Sequence, residues 1–133
     1  MSGVIADTHA IIWYLTKSNH LSRVAFDTFE STIRNNEIIY ISAITIVEIV
    51  YLVEKGKIPD SAFQRLIDKI RSEDSSLKIA PLDLSVSQEI SSVPRDMVPD
   101  MPDRIIAATA LSLNIPLITR DSRIRTLSLP TIW

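Results

Sequence analysis

Four carboxylic acid residues stand beside or within the most apolar segments of this chain. They are Asp7, Glu48, Asp103 and Asp121. Two unit charges about 4 Å apart repel by about 4 kcal/mol at an effective dielectric constant of about 20, so carboxylates that converge need a counter-charge. A hard divalent cation such as Mg²⁺ or Mn²⁺ supplies that charge and prefers oxygen ligands. If the four side chains meet, they indicate metal-assisted hydrolysis of a phosphodiester, in which a metal ion acidifies the attacking water.

Three of these acids also have an ordinary structural explanation. Asp7 can cap the helix that follows it, a role that stabilises a helix by about 1 kcal/mol, and its own surroundings in the sequence do not decide between a cap and a site. Asp103 can complement the dipole of the next helix, and Asp121 can be a turn residue. For these last two, the structural explanation is favoured as long as each residue is considered alone.

Glu48 is harder to explain by structure alone, because it interrupts the most apolar helix predicted in the chain. Its neighbours one turn away are Ile44, Thr45, Tyr51 and Leu52. A buried carboxylate without a partner is costly, so the alternatives are an ion pair with a distant Arg or Lys and a functional role. We favour the functional role, because acids in such surroundings cluster at functional sites.

An alternation of short apolar strands with helices must position these acids. The predicted strands are 4–6, 37–41, 77–82, 117–119 and 130–132. The predicted helices are 8–15, 21–36, 43–54, 59–71, 85–93 and 104–113, with a loop at 94–102 and a polar turn at 121–125. This order indicates an α/β fold whose mainly parallel sheet of four to five strands is flanked by helices. Ligands bind such sheets beyond the carboxyl ends of the strands, where Asp7 and Asp121 are expected.

Three single residues mark boundaries of these elements. Ser42 is expected to cap the amino end of the helix 43–54, and Gly56 to supply a left-handed residue at its carboxyl end. Pro81 interrupts the third strand, which is therefore expected near an edge of the sheet.

Composition excludes several classes of protein. The chain has 133 residues, no cysteine and only two glycines. It therefore has no disulfide framework, no thiolate metal site and no glycine-rich phosphate loop. The net charge of −2 argues against an overall basic nucleic-acid binder. Because no signal segment or membrane-length apolar run is present, we expect a soluble, cytoplasmic protein with a single domain over 1–133.

The order and spacing of four segments resemble those of PIN-domain ribonucleases, and in detail those of the VapC toxins of bacterial type II toxin–antitoxin pairs. The matching segments are 5–10, 42–48 with 55–58 after it, 100–110 and 117–121. The last two together are specific, whereas the opening Asp-Thr-His-Ala alone is a weak signal. The resemblance covers essentially the whole chain. One departure is Val47, which stands where the family often has Trp in the helix that carries the glutamate.

The resemblance implies a fold, an activity, a cofactor and partners. By it, Asp7, Glu48, Asp103 and Asp121 are the catalytic, metal-binding acids of a PIN-like three-layer domain, and Asp100 is a second-tier metal ligand. It further implies dependence on Mg²⁺ or Mn²⁺, cleavage of RNA, a homodimer and neutralisation by a VapB-type antitoxin. Two alternatives stay open: a PIN-type nuclease of housekeeping RNA processing without a toxin role, and a catalytically silent interaction module.

Several further residues have weaker interpretations. Thr119 matches a family threonine expected to hold a carboxylate or water through its hydroxyl. Arg104 and Arg120, with Arg123 and Arg125, either hold RNA phosphates or are solvated surface charges. His9 is more often a structural hydrogen-bonding residue than a general base. Trp13 and Tyr14 are expected to pack in the core or at a dimer or antitoxin surface, with base stacking the less favoured use.

Overall fold

Five parallel strands form one sheet in the computed structural model, which describes residues 3–133. The strands are β1 (Gly3–Ala6), β2 (Ile38–Ser42), β3 (Leu77–Ala80), β4 (Leu117–Ile118) and β5 (Thr131–Ile132). Their spatial order is β3-β2-β1-β4-β5, with every neighbouring pair parallel. The predicted mainly parallel sheet is confirmed, and β3 lies at an edge, as Pro81 predicted.

Seven helices and one short 3₁₀ turn connect the strands within these residues. The helices are α1 (Thr8–Leu15), α2 (Arg23–Arg34), α3 (Ala43–Glu54), α4 (Asp60–Arg71), α5 (Leu84–Glu89), α6 (Met101–Leu113) and α7 (Ser122–Arg125), and the 3₁₀ turn is Ile90–Ser92. The bounds predicted for α1 and α3 match the structure. Ser42 caps α3 by accepting from the Ile44 amide, and Gly56 has a φ of +73° just after that helix, both as predicted.

Alternating side chains of the central strand divide the core into two layers. Val4 and Ala6 pack in a cluster with buried residues of α1, α2, α3 and α4. Ile5, between them, packs in a second cluster with residues of α5, α6 and α7. Because successive strand residues point to opposite faces, the sheet lies between two helical layers. The expected three-layer α/β architecture is therefore confirmed. None of the helices in residues 3–133 is long and apolar enough to cross a membrane.

Two predictions of local structure near the site were wrong. Helix α6 begins at Met101 rather than at residue 104, because Asp100 caps it and Pro102 occupies its first turn. Proline is tolerated there, since the amide it lacks would have no partner inside the helix. The segment 121–125, predicted as a polar turn, forms the short helix α7 with Asp121 as its cap. Both corrections place an aspartate at the start of a helix.

Candidate active site

A cleft of about 360 Å³ opens beyond the carboxyl ends of the central strands. It is lined by Asp7, Thr8, His9, Trp13, Glu48, Asp100, Asp103, Arg120 and Asp121. The four predicted acids thus converge, together with the second-tier Asp100. The sheet order explains the position of the cleft, because the connections of β1 and β4 run in opposite directions and leave a crevice between these strands.

Asp7 is both a helix cap and a member of this cleft. It follows β1, and its Oδ1 accepts a hydrogen bond from the Ala10 amide at 2.8 Å. Its Oδ2 accepts a hydrogen bond from the Thr119 hydroxyl, contributed by the segment after β4. Burial raises the pKa of Asp7, and the hydrogen bonds from Thr119 and Ala10 oppose that rise. Capping and site membership, which the sequence could not separate, therefore coexist in one side chain.

The buried hydroxyl of Thr119 joins two of the acids. It donates to Asp7 and accepts from the Asp121 amide at 3.0 Å. The side chain of Asp121 in turn accepts from the amides of Arg123 at 2.8 Å and Ile124 at 3.3 Å, which caps α7. Thr119 is fully buried, so its hydroxyl has little freedom to rotate away. It fixes the spacing between the ends of β1 and β4.

Glu48 is held by a threonine hydroxyl rather than by a cation. Its Oε1 accepts from the Thr8 hydroxyl at 2.5 Å, and Thr8 also lies 3.0 Å from the Thr45 hydroxyl. Burial is the main cause that raises the pKa of Glu48, and the negative charges of Asp100 and Asp7 add to it. The alternative of an ion pair has no support among residues 3–133, where no Arg or Lys pairs with Glu48.

Asp103 is surrounded by negative charge at the start of α6. The Asp100 side chain caps this helix by accepting from the Asp103 amide at 3.1 Å. Burial raises the pKa of Asp103 to about 7, and the charges of Asp100, Asp121, Glu48 and Asp7 contribute in that order. With this pKa the carboxyl is only partly ionised at neutral pH, because burial and the neighbouring negative charges both disfavour its charged form.

The cleft holds acids without matching cations. In the described part of the chain, the one ion pair joins Arg23 to Asp27 on α2, away from the cleft. Across residues 3–133, no group of three His, Asp or Glu side chains is arranged to hold a metal ion as it stands. Mg²⁺ does not need such a group, since it keeps several waters and binds through one or two carboxylates. The donor chemistry, carboxylate oxygens without cysteine, therefore fits a hard divalent cation.

The predicted supporting arginines separate into different environments. Arg104 donates from Nε to the Val93 carbonyl and from a terminal nitrogen to the carbonyls of Val93 and Ile90, at 2.8–3.1 Å. It therefore supports the segment before α6 and lies outside the cleft lining. Arg123 and Arg125 are exposed on α7 and do not line the cleft either. Only Arg120, of the four, reaches it.

Thr8, whose hydroxyl donates to Glu48, was not among the predicted site residues. Thr8 is separated from Glu48 by 40 residues, so their contact depends on how α1 packs beside α3. A usable signal was Thr45, a polar residue three positions before Glu48 in a nearly apolar helix, and therefore on the same face. Trp13 packs against the core as expected, but it also lines the cleft.

Comparisons with known proteins agree with this fold. The family model of the PIN domain matches residues 4–128. Ribonuclease VapC22 of Mycobacterium tuberculosis is 28% identical over an alignment of 141 positions that covers 100% of both chains. A VapBC2 structure from Rickettsia felis, bound to a DNA fragment from its promoter, superposes with a TM-score of 0.73 at 18% identity and covers 97% of this chain and 96% of that one. A toxin–antitoxin complex from Klebsiella pneumoniae gives 0.66 at 19% identity, covering 98% and 96%.

Proposed function

The chain belongs to the PIN domain family, and we propose that it is a Mg²⁺- or Mn²⁺-dependent endoribonuclease that acts as the toxin of a type II toxin–antitoxin pair. The observation that carries the proposal is the convergence of Asp7, Glu48, Asp103 and Asp121 on one cleft. These residues come from four separate parts of the chain. A fold that needed only stability would not gather them, because each added carboxylate raises the cost of ionising the others.

The donor set supports a divalent cation as cofactor. Asp7, Glu48, Asp103 and Asp121 would hold it, with Asp100 at the exposed rim. When bound, Mg²⁺ or Mn²⁺ supplies the missing positive charge and acidifies the water that attacks the phosphodiester. The same charge would lower the pKa of Asp103 from about 7, so that this carboxylate stays ionised.

The chain's own residues orient the reacting groups. Thr119 and the Ala10 amide each fix one oxygen of Asp7, and Thr8 fixes one oxygen of Glu48. These three hydrogen bonds restrict the rotation of both carboxylates, which line the cleft. Hydrogen-bond partners of this kind hold metal ligands in place and fix their orientation.

RNA as the substrate and an antitoxin as the partner are supported by the similar proteins. The relative from M. tuberculosis is named a ribonuclease, and the solved structures include complexes of toxins with antitoxins. Among the exposed large apolar side chains, Val24 and Phe26 lie on α2, and Val47 and Tyr51 lie on α3. We assign one such surface to a VapB-type antitoxin and the other to a second copy of this chain in a homodimer. Light scattering of the purified protein, with and without the antitoxin, measures whether the homodimer and the complex with the antitoxin form.

The proposal is tested by inducing the wild type and Asp7→Asn in a bacterium and mapping new RNA 5′ ends. Wild type is expected to arrest growth and to create ends at defined positions, whereas Asp7→Asn accumulates to the same level and does neither. New ends without growth arrest would favour a housekeeping nuclease. Neither new ends nor arrest, with folded wild-type protein present, would favour a silent interaction module.

The toxin role has a separate test in the genetic neighbourhood. A small antitoxin-like reading frame directly upstream is expected, and co-expression of its product should abolish the growth arrest. Arrest that persists at an excess of that product would contradict the pairing.

A further inference from the structure

Arg120 lies at the edge of the acidic cleft and forms no ion pair with the described acids that line it. Among residues 3–133 it is the one Arg or Lys that lines the cleft. It directly precedes Asp121, is exposed, and forms no ion pair within the described part of the chain. Its guanidinium carbon instead lies 4.5 Å from the centroid of the Trp13 ring. A cation beside five carboxylates thus contacts an aromatic ring.

Trp13 is itself held in place by other rings. His20 stacks on it with centroids 5.2 Å apart and planes 25° apart, and His20 Nδ1 lies 3.0 Å from the Ser18 hydroxyl oxygen. Trp133 meets the Trp13 ring edge-on at 5.9 Å, and His9 lies 5.5 Å from it. These contacts come from α1, from the turn after it and from the end of the chain. The ring of Trp13 is therefore a firm support at the cleft edge.

The contact with Trp13 keeps Arg120 available to an anion. A free guanidinium next to several carboxylates would pair with one of them, but a cation–π contact stabilises another position of the side chain. The ring offers no lone pairs in the plane of the guanidinium, so the N–H donors remain for an oxyanion. Their fork matches the oxygens of a phosphate. A fixed positive charge at this edge also offsets the repulsion between the acidic cleft and an approaching nucleic acid.

We propose that Trp13 is a positioning residue that holds Arg120 as a binding site for a backbone phosphate of RNA, adjacent to the phosphodiester that is cleaved. The inference rests on the proposed function, because the ligand is the RNA substrate. Trp13 acts through Arg120 and does not contact the RNA. The subsite binds substrate and transition state alike, so its loss raises KM and leaves kcat unchanged.

Binding can be measured without cleavage in the Asp7→Asn protein. The probe is a fluorescein-labelled single-stranded RNA of random sequence, followed by anisotropy over a range of NaCl concentrations. Arg120→Gln in this background is expected to weaken binding about tenfold. It should also reduce the magnitude of the slope of log K against log[NaCl] by about 0.7, which is the value for one lost phosphate contact on a single strand.

The Trp13 variants test whether that residue works through Arg120. Trp13→Leu is expected to weaken binding about threefold, whereas Trp13→Phe, which keeps a ring, should bind nearly as the parent does. Once Arg120 is replaced by Gln, Trp13→Leu should have no further effect. In the otherwise wild-type enzyme, Trp13→Leu should raise KM about threefold at unchanged kcat.

Arg34→Gln is the matched control for loss of one positive charge. Arg34 is exposed at the end of α2, shortly before β2 begins, and so lies toward the amino ends of the strands, away from the cleft. This variant should bind RNA as the parent does. The inference is overturned if Arg120→Gln weakens binding no more than Arg34→Gln, if Trp13→Leu costs the same with and without Arg120, or if the parent shows no RNA binding.

The two proposals fail in different ways. If wild type cleaves RNA in Mn²⁺ while the Arg120 and Trp13 variants bind and cleave normally, the phosphate subsite is wrong and the ribonuclease assignment stands. If wild type cleaves nothing but binding still depends on both residues, the subsite stands and the assignment of activity is wrong.

Discussion

Asp7 and Asp83 cap their helices in nearly the same way, but their surroundings differ. Each follows a strand, has extended backbone, and accepts a hydrogen bond from the amide three residues later, at 2.8 Å for Asp7 and 3.0 Å for Asp83. Asp83 is exposed beyond the edge strand β3. Asp7 lies beyond the central strand β1, and its second oxygen is held by Thr119.

The difference between them comes from sheet topology and not from local sequence. Capping needs one carboxylate oxygen and one nearby amide, which any strand followed by a helix can provide. A reactive site also needs other chain segments to bring their acids to the same point, and here that point is the crevice between β1 and β4. An aspartate that caps a helix is therefore only structural beyond the edge strand, whereas beyond the central strand it is also a site residue.

The largest expected contrast is in RNA cleavage by Asp7→Asn and Asp83→Asn. Asparagine also caps helices, so both variants should fold. Asp7→Asn should lower the initial rate of RNA cleavage in Mn²⁺ more than about a hundredfold, since loss of even an outer partner of a metal site costs about 10- to 100-fold. Asp83→Asn should retain the full rate. Comparable rates in the two variants would contradict the distinction between Asp7 as a site residue and Asp83 as a structural cap.

Thr119 sharpens the comparison, because among residues 3–133 no hydroxyl donates to the side chain of Asp83; the Ser87 hydroxyl donates to its backbone carbonyl instead. Thr119→Val keeps the shape of the side chain but leaves an Asp7 oxygen and the Asp121 amide without their hydroxyl partner. The cleavage rate is expected to fall about tenfold, and Thr119→Ser should restore most of it. If Thr119→Val cleaves RNA as fast as wild type, the orientation of Asp7 does not depend on this hydroxyl.

The pH dependence of stability tests the electrostatic repulsion around Asp103 in the cleft. The pKa of Asp103 is about 7 in the folded protein against 3.8 ordinarily, so the folded state binds this proton more tightly than the unfolded state. In chelator, the stabilisation from this proton should be complete below about pH 4 and lost as the pH rises toward 7. Asp103→Asn should flatten this part of the curve and raise the thermal midpoint at pH 8 by about 4 °C, since solvent screening limits the effect on this partly exposed group to about 1 kcal/mol.

Differential scanning calorimetry from pH 4 to pH 8 measures that curve. A saturating concentration of MgCl₂ should remove most of the loss above about pH 6, because the bound cation replaces the proton as counter-charge. Identical curves for wild type and Asp103→Asn in chelator would contradict the crowding of negative charge around this residue.

The smallest expected effect is on stability at the two caps. In chelator, Asp7→Asn should raise the free energy of unfolding, because it keeps a cap and removes a buried charge. Asp83→Asn should leave it unchanged, and Asp83→Ala should lower it by about 1 kcal/mol. Urea titrations followed by circular dichroism measure all three. A loss of stability in Asp7→Asn would mean that the charge of Asp7 is compensated within the chain.

The elements next to the site were predictable where their signals are local. The bounds of α1 and α3 follow from a capping residue at one end and a mainly apolar segment behind it. The predicted start of α6 is wrong because the irregular segment 94–102, with three prolines, predicts a loop, although proline in the first turn of a helix removes no helical hydrogen bond. Helix α7 has four residues, too few to show a periodic pattern.

The site itself was predictable in part. The positions of Asp7 and Asp121 relative to their strands, together with the family resemblance, indicated which acids should meet. The hydrogen bond from Thr8 to Glu48 could not be predicted, because it depends on the packing of two helices 40 residues apart. Nor could the sequence show that Arg104 donates to carbonyls while Arg120 contacts Trp13, since an arginine's partner is a property of the folded chain.

The central claim is that the crevice beyond β1 is built for a divalent cation, and Mn²⁺ binding to the whole protein tests it most directly. Isothermal titration calorimetry of the metal-free wild type at pH 8 should show binding, and Asp83→Asn should bind with the same affinity. Asp7→Asn should bind at least about tenfold more weakly. Equal Mn²⁺ affinity for wild type and Asp7→Asn, with both proteins folded, would contradict the claim.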